Sequence, residues 1–223
     1  MKYKGIIYDL DGTIVDSEPI FYESDKQFVE NYGGSYTEEE NKKFIGAGGR
    51  AFVQYFIEKL NLKKSLEDLL YEKDQIYLAL AKEKGVNPFP AVVQLIEWAA
   101  QKRIKQTVAS GSSLKIISEI LKITKLDTFF PIITSSDEVG KGKPHPDVFL
   151  MAAERMSLDP KSCLVLEDSI HGVEAAIRAG MDVIAFNDNK EALKQWDESS
   201  IIYQSPNASV VEINKVKALL TSD

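Results

Sequence analysis

The sequence predicts an α/β protein: a parallel β-sheet with helices on both faces, and an all-helical segment inserted near the N-terminus. Three observations support this prediction. A short apolar run at residues 5–9 is typical of a buried strand. Residues 16–85 show helical spacing of apolar side chains and contain no convincing strand. After residue 90, strand-like and helical segments alternate, which is the pattern of parallel strands joined by helical crossovers.

The inserted segment is predicted to be entirely helical. Apolar residues at helical spacing predict a first helix that ends at Gly33. Thr37 and Glu40 have the spacing of a capping box and predict the start of a second helix. Residues 51–60 and 66–84 predict two more helices. We expect aromatic side chains to form much of the core of this segment, namely Phe21, Phe28, Phe52, Tyr55 and Phe56.

The rest of the chain follows a proline-containing turn at residues 87–90. The predicted order is helix 92–101, strand 106–109, helix 112–122, strand 132–134, helix 146–156, strand 163–166, helix 170–179, strand 182–186, helix 190–196, strand 200–203 and helix 210–220. We therefore expect an α/β core formed by residues 1–15 and 88–223, and a helical domain formed by residues 16–87.

The composition narrows the class of protein and its partners. The chain has 223 residues, of which 44% are hydrophobic, and this is enough for a large core. The net charge is −7 and no run of Lys or Arg stands out, so we expect neither nucleic acid nor an acidic membrane as a partner. The apolar stretch 91–100 is too short to span a bilayer. The single cysteine, Cys163, is expected to be buried and allows no internal disulfide, so a cytoplasmic location is expected. We also expect a monomer.

Two carboxylates follow the first predicted strand. Side chains alternate along a strand, so Asp9 and Asp11 are expected to leave the same face. They would repel each other unless a proton or a cation lies between them, and Mg²⁺ is a cation that prefers such oxygen ligands. We predict that Asp9 is the nucleophile of a phosphoryl transfer. The alternative is a β-hairpin with an Asp-Gly turn.

Further polar groups follow the other predicted strands, where ligands bind in folds of this kind. Ser110 and Ser112 precede a helix and could bind a phosphate, or Ser112 could simply cap that helix. Lys143 could offset charge beside Asp9, since unit charges about 4 Å apart interact by ~4 kcal/mol at an effective dielectric near 20. Its alternative is a solvated surface lysine.

Two acidic residues and a glycine-rich segment complete the set of candidates. Glu167 and Asp168 follow a predicted strand and could supply metal carboxylates, or they could belong to the cap of the next helix. The glycine-rich residues 46–50 lack the spacing of a dinucleotide-binding loop. They form either a plain connection between helices or a loop that places Arg50 over a substrate.

These segments resemble a known family. Asp9-Leu10-Asp11-Gly12-Thr13, Ser110-Gly111-Ser112, Lys143-Pro144 and Glu167-Asp168-Ser169 resemble, in order and spacing, the four motifs of the haloacid dehalogenase superfamily. The helical insert resembles the cap domain of the subgroup that contains β-phosphoglucomutase and sugar-phosphate phosphatases. The resemblance implies a Rossmann-like core, Mg²⁺ as cofactor and a small phosphorylated metabolite as substrate.

The resemblance also implies a role for each acidic residue. Asp9 would attack phosphorus and form an aspartyl-phosphate. Asp11 would protonate the leaving oxygen and then activate water, and its backbone carbonyl would join the metal shell. Asp168 would hold Mg²⁺ together with Asp9, and Glu167 would support that shell. Lys143 would neutralise negative charge beside the nucleophile.

The remaining candidates are assigned to the substrate. Ser110 and the backbone N–H of Gly111 would bind phosphoryl oxygens. Thr13 and Ser112 are expected to contribute to the same phosphate site. Arg50 falls close to an arginine of the mutase cap, which makes a sugar phosphate a plausible substrate.

One departure from the mutase pattern bears on the reaction. Phe21 stands where β-phosphoglucomutase carries a histidine that matters for activation toward its second sugar phosphate. The absence of this histidine favours water as the acceptor of the phosphoryl group, so we predict a Mg²⁺-dependent phosphatase. The alternatives are a phosphomutase acting on hexose phosphates and, in a different class, a non-enzymatic phospho-acceptor module like a response-regulator receiver.

Overall fold

A computed structural model describes residues 2–44, 48–194 and 200–221. The chain divides into two compact units. One comprises Met1–Asp16 and Asn87–Asp223, and the other comprises Ser17–Val86. The assignment of residues 16–87 as a separate domain stays a prediction.

The strands of the first unit confirm the predicted α/β class. They are β1 Gly5–Tyr8, β2 Val15–Asp16, β3 Asn87–Pro88, β4 Lys105–Ser110, β5 Ile133–Ser135, β6 Cys163–Glu167, β7 Asp182–Phe186 and β8 Ile201–Ser205. Six of them form a parallel sheet in the order β5-β4-β1-β6-β7-β8. Strand β1 lies inside the sheet, with Tyr8 opposite Val108 of β4 and Leu166 of β6. The carboxyl ends of these three strands are therefore neighbours.

The hairpin alternative for the first motif is wrong. β1 pairs with β4 and β6, whereas β2 pairs antiparallel with β3. The chain turns between β1 and β2 at Gly12, whose φ is 74° and whose N–H donates to the Val15 carbonyl at 2.8 Å. Glycine adopts this left-handed backbone without steric cost. The Asp-Gly pair therefore makes a turn, but the turn does not join two paired strands.

The helices confirm the alternation and correct some boundaries. Those of the second unit are α1 Glu18–Asn31, α2 Glu38–Asn41, α3 Gly49–Leu60 and α4 Leu66–Lys84. Those of the first unit are α5 Pro90–Gln101, α6 Leu114–Ile123, α7 Asp147–Arg155, α8 Ile170–Arg178, α9 Lys190–Leu193 and α10 Ile213–Thr221. The last helix begins later than predicted because Ala208–Val210 form a 3₁₀ turn. The predicted end of the preceding helix, at residues 195–196, lies outside the described residues.

The start of α6 differs from the prediction in a way that affects the site. The side chain that caps this helix is Ser113, whose Oγ accepts a hydrogen bond from the Ile116 N–H at 3.3 Å. The interpretation of Ser112 as the cap is therefore wrong. Its hydroxyl is available for another partner.

The helical unit has its own apolar core. The Thr37 side chain accepts from the Glu40 N–H at 3.2 Å, which confirms the predicted capping interaction there. The buried side chains of this core are Phe28, Val29, Tyr36, Phe52, Val53, Phe56 and Leu69. Tyr55 was expected in this core, but it is 39% exposed. No helix in the described ranges is both long and apolar enough to cross a lipid bilayer.

The core of the α/β unit fixes the sheet that carries the site. Every residue of β1 is buried, and Cys163 at the start of β6 is buried as predicted. One cluster packs α7 and α8 against the sheet and includes Ile7, Val148, Phe149, Val165, Val173 and Val183. Burial of apolar surface contributes roughly 25 cal/mol per Å² to stability, so this packing holds the strand ends in fixed positions.

Candidate active site

Polar groups from three strand ends converge at one edge of the sheet. Asp9 follows β1 directly, and its N–H still donates to the Leu166 carbonyl of β6 at 2.9 Å. Ser110 ends β4, and Glu167 ends β6. Since the three strands are adjacent and parallel, residues far apart in sequence meet here, as the strand-end rule predicts.

Three carboxylates form a compact acidic cluster. Asp9, Glu167 and Asp168 each offer a carboxylate oxygen, and these oxygens lie within 4.8 Å of one another. Asp9 is 5% exposed and Glu167 is 1% exposed, so water screens the repulsion between their carboxylates only weakly. Hard oxygen donors at this spacing are the ligand type that binds divalent cations such as Mg²⁺. The donor set therefore fits a divalent metal.

The environment opposes ionisation of two of these acids. Burial, followed by the nearby charge of Glu167, raises the pKa of Asp9 from 3.8 to about 8. Burial likewise raises the pKa of Asp168 well above its ordinary value, and the charges of Glu167 and Asp9 add to this. A cation placed among the oxygens would reverse this penalty, because it favours the ionised form of each acid.

Lys143 lies in contact with this cluster. Its Nζ donates to Asp9 Oδ1 at 2.6 Å, to Glu167 Oε2 at 2.7 Å and to the Ala109 carbonyl at 3.2 Å. Only 10% of its side chain is exposed, so the solvated-lysine alternative is wrong. Burial by itself would lower the pKa of Lys143, but the charges of Asp9 and Glu167 outweigh it and the pKa is raised. Lys143 contacts two of the three acids, so ionisation of all three would require a second cation to balance their charge.

Glu167 is tied to the start of α8 as well as to Lys143. Its Oε1 accepts from the Asp168 N–H at 3.2 Å, the Ser169 N–H at 3.0 Å and the Ser169 hydroxyl at 2.9 Å. Ser169 caps α8 by accepting from the Gly172 N–H at 3.0 Å. The motif therefore supplies the helix cap through Ser169 and two members of the acidic cluster through Glu167 and Asp168, whose role as metal ligands stays a prediction.

Asp11 does not join the acidic cluster through its side chain. The Ser112 hydroxyl donates to Asp11 Oδ2 at 2.7 Å, and the Ser110 hydroxyl lies 3.5 Å from the same oxygen. β1 ends at Tyr8, so strand alternation does not by itself place Asp9 and Asp11 on one face, and that expectation stays a prediction. A contribution of the Asp11 backbone carbonyl to a metal shell stays a prediction.

The residues assigned to substrate have different surroundings. Thr13 is fully buried, and its Oγ1 has no hydrogen-bond partner among the described residues. Among the described residues, and apart from its chain neighbours, no heavy atom lies within 4 Å of a Cβ built on Gly111, so that side of its Cα is open. Arg50 belongs to the helical unit, where its exposed guanidinium lies 3.3 Å from Glu67. Residues 45–47 of its glycine-rich segment lie outside the described residues. The substrate roles of Thr13, Gly111, Ser112 and Arg50 stay predictions.

The structure adds the Asn187 side chain and the Ala109 carbonyl, neither of which was a candidate from the sequence. The Asn187 side chain donates to the Asp168 carbonyl at 2.7 Å, and Gln204 in turn donates to the Asn187 carbonyl at 2.6 Å. Asn187 directly follows β7, so the strand-end rule could have identified it. The Ala109 carbonyl that binds Lys143 has no such signal, because every residue carries a carbonyl.

Comparison with known proteins assigns the chain to a family. Residues 6–186 match the family of haloacid dehalogenase-like hydrolases. The chain belongs to this family. A phosphorylated carbohydrates phosphatase of Thermotoga maritima is 32% identical to it over 200 residues, covering 86% of this chain and 90% of that protein. The fructose-1-phosphate phosphatase of Escherichia coli is 31% identical over 183 residues, covering 82% and 96%.

Solved structures show the same fold for this haloacid dehalogenase-like hydrolase. A β-phosphoglucomutase from Clostridium difficile superposes with a TM-score of 0.80 over 97% of this chain and 96% of that one. Its sequence identity is 21%, so the likeness concerns the fold alone. The sequence relatives, by contrast, place this chain among the phosphatases of the family.

Proposed function

We propose that the chain is a Mg²⁺-dependent phosphatase that hydrolyses a small phosphorylated carbohydrate through an aspartyl-phosphate on Asp9. The observation that carries the proposal is the contact of Lys143 with Asp9 inside the cluster completed by Glu167 and Asp168. A buried carboxylate beside a fixed ammonium and other oxygen donors suits nucleophilic attack on a phosphate group, where positioning and charge stabilisation do most of the work.

The first half of the reaction transfers the phosphoryl group to the enzyme. An Asp9 carboxylate oxygen forms a bond to phosphorus while the bond from phosphorus to the leaving oxygen breaks. Asp11 donates a proton to that oxygen, so the dephosphorylated carbohydrate leaves as an alcohol. The Ser110 hydroxyl and the Gly111 N–H hold phosphoryl oxygens, and Lys143 offsets the negative charge beside Asp9. Asp9 and Asp168 would hold Mg²⁺, which supplies further positive charge to the phosphoryl oxygens.

The second half regenerates the nucleophile. Asp11, now ionised, accepts a proton from a water molecule as that water's oxygen bonds to phosphorus. The bond between phosphorus and Asp9 breaks, inorganic phosphate leaves, and Asp9 is again a carboxylate. Asp11 is protonated again at the end of the cycle, so atoms and charges balance over one turnover.

The substrate class rests on the relatives. Two phosphatases that align with most of this chain are named for phosphorylated carbohydrates and for fructose 1-phosphate. We extend this class to the present chain and assign Arg50 to the recognition of substrate hydroxyls or phosphate, because a guanidinium suits such groups. A cytoplasmic location and a monomeric state stay predictions.

The test is a comparison of Asp9→Asn with the wild-type protein. A panel of hexose and hexitol phosphates is assayed with and without Mg²⁺ for released phosphate and for isomerised hexose phosphate. We expect phosphate release by the wild type and none by Asp9→Asn. Asp127→Asn is the matched control, because Asp127 is exposed on a 3₁₀ turn. Near wild-type turnover by Asp9→Asn would refute the mechanism, and isomerised product without phosphate release would favour the phosphomutase.

A further inference from the structure

The glycine at position 172 is unusual for its place in the fold. Gly172 lies inside α8 and is buried. Glycine disfavours a helix relative to alanine because it has more backbone freedom to lose. Its backbone here is helical, so no left-handed conformation demands it. The remaining explanation for a glycine at this position is the lack of space for a side chain.

That space is occupied by the carboxylate of Glu167. A Cβ built on Gly172 would lie 2.0 Å from Glu167 Cδ, 2.0 Å from Oε2 and 2.5 Å from Cγ. Any residue with a Cβ would therefore displace the end of the Glu167 side chain. A Cβ built on Gly12 would likewise lie 2.1 Å from Asp168 Oδ2, but the positive φ of Gly12 already accounts for a glycine there.

Glu167 cannot move without changing its contacts. It is 1% exposed, its Oε1 accepts from two N–H groups and from the Ser169 hydroxyl, and its Oε2 accepts from Lys143. Lys143 bonds in turn to Asp9 Oδ1. A methyl group at position 172 would thus displace Glu167 directly and act on Asp9 through two successive hydrogen bonds, from Lys143 to Glu167 and from Lys143 to Asp9.

We propose that Gly172 is a positioning residue of the active site: it makes room for the Glu167 carboxylate, which holds Lys143 against Asp9. The catalytic part of this proposal rests on the proposed function. The contact between Gly172 and Glu167 does not, and it can be tested separately.

The test is a double-mutant cycle of Gly172→Ala, Glu167→Ala and the double variant, assayed for Mg²⁺-dependent release of phosphate from fructose 1-phosphate. We expect Gly172→Ala to lower kcat by about tenfold or more in the wild-type background and by less than about twofold in the Glu167→Ala background. A Gly172→Ala enzyme with wild-type kcat would overturn the proposal. So would an equal loss in both backgrounds.

The same cycle is measured without metal by urea unfolding. Gly172→Ala should destabilise the protein that retains Glu167 and leave the Glu167→Ala protein unchanged or more stable. Gly49→Ala is the matched control for helix propensity, since the nearest atom to its added Cβ is on Leu70 at 3.9 Å. If Gly172→Ala fails to fold while the double variant folds, the proposal is supported. Failure of both overturns it.

The metal-free measurement separates this inference from the proposed function. If the wild-type protein releases no phosphate from any substrate, the proposed function fails. Coupling between positions 172 and 167 in unfolding would still establish the contact. If hydrolysis is observed without any coupling, the inference fails and the proposed function stands.

Discussion

A single ammonium group organises the charges of the active site. Lys143 bonds to Asp9 and Glu167, and its Nζ also lies 4.9 Å from the centre of the Phe149 ring. The ring and the surrounding core exclude water on one side of these charges. Opposite charges in such a place stabilise each other, but each is costly if its partner is removed.

We therefore predict a large effect of Lys143→Met. Asp9 and Glu167 would stay buried without their cation, which should lower the free energy of unfolding by about 3 kcal/mol in the absence of metal. If Lys143 offsets phosphate charge as proposed, its loss should also lower kcat by about a hundredfold. Urea unfolding and phosphate release measure the two effects. Lys141→Met, an exposed lysine of the same loop, should change neither quantity, and a Lys143→Met protein as stable as wild type would contradict the prediction.

Two adjacent serines have different partners. Ser112 donates to Asp11, whereas Ser113 caps α6. We expect Ser112→Ala to lower kcat about fivefold, since one hydrogen bond contributes about 1 kcal/mol, with Ser112→Thr retaining more activity. Ser113→Ala should cost about 1 kcal/mol of stability and leave kcat unchanged. A rise in KM alone for Ser112→Ala would show instead that Ser112 binds substrate.

At the scale of elements, two ion pairs join the same helices of the cap region. Lys73 of α4 lies 2.7 Å from Asp25 of α1, and their side chains are 6% and 9% exposed. The Lys73 ammonium also lies 5.3 Å from the centre of the Phe21 ring and 5.2 Å from that of Phe52. Lys84 of α4 pairs with Glu23 of α1 at 2.5 Å, but both of these side chains are 44% exposed. Helices α1 and α4 are thus joined by one buried and one exposed ion pair of the same chemical type.

We predict that these pairs differ strongly in their effect on stability. Asp25→Ala would leave the Lys73 charge buried and should lower the free energy of unfolding by about 3–5 kcal/mol. Glu23→Ala removes a solvated pair and should cost about 0–1 kcal/mol. The double change Asp25→Leu with Lys73→Met should recover most of the loss. Thermal and urea unfolding measure all of these variants, and equal effects of Asp25→Ala and Glu23→Ala would contradict the prediction.

At the scale of the whole molecule, the acidic cluster links stability to pH and metal. The pKa of Asp9 is raised from 3.8 to about 8 in the folded protein. The folded state therefore binds a proton more tightly than the unfolded state does. This contribution to stability is fully present below the unfolded pKa and is lost as pH rises through the folded pKa. Mg²⁺ bound at Asp9, as proposed, would compete with that proton and should therefore stabilise the protein more as the pH rises.

The prediction is checked by thermal unfolding between about pH 5 and about pH 8.5, a window in which an ordinary carboxyl does not titrate. Without metal, Tm should fall across the window, and the increase in Tm caused by Mg²⁺ should grow. Asp9→Asn should flatten the first trend, because its amide does not titrate. If Tm of the metal-free wild type changed with pH as little as Tm of Asp9→Asn does, the link between Asp9 and stability would be refuted.

The order of elements was largely predictable from the chain. Strand-like and helical segments alternate after residue 90, and a parallel sheet is the arrangement that such alternation allows. The parallel sheet brings Asp9, Ser110 and Glu167 to one edge, so the members of the candidate site were predictable as well. The family resemblance drawn from their motifs is confirmed by the match over residues 6–186.

The partners of each side chain were decided only by the tertiary structure. Asp9 and Asp11 are two residues apart, yet one bonds to Lys143 and the other to Ser112, because β1 ends at Tyr8 and the chain then turns at Gly12. Local sequence determines where strands end and which chemical groups follow them. It does not determine which group each one meets, since that depends on packing between segments distant in the chain.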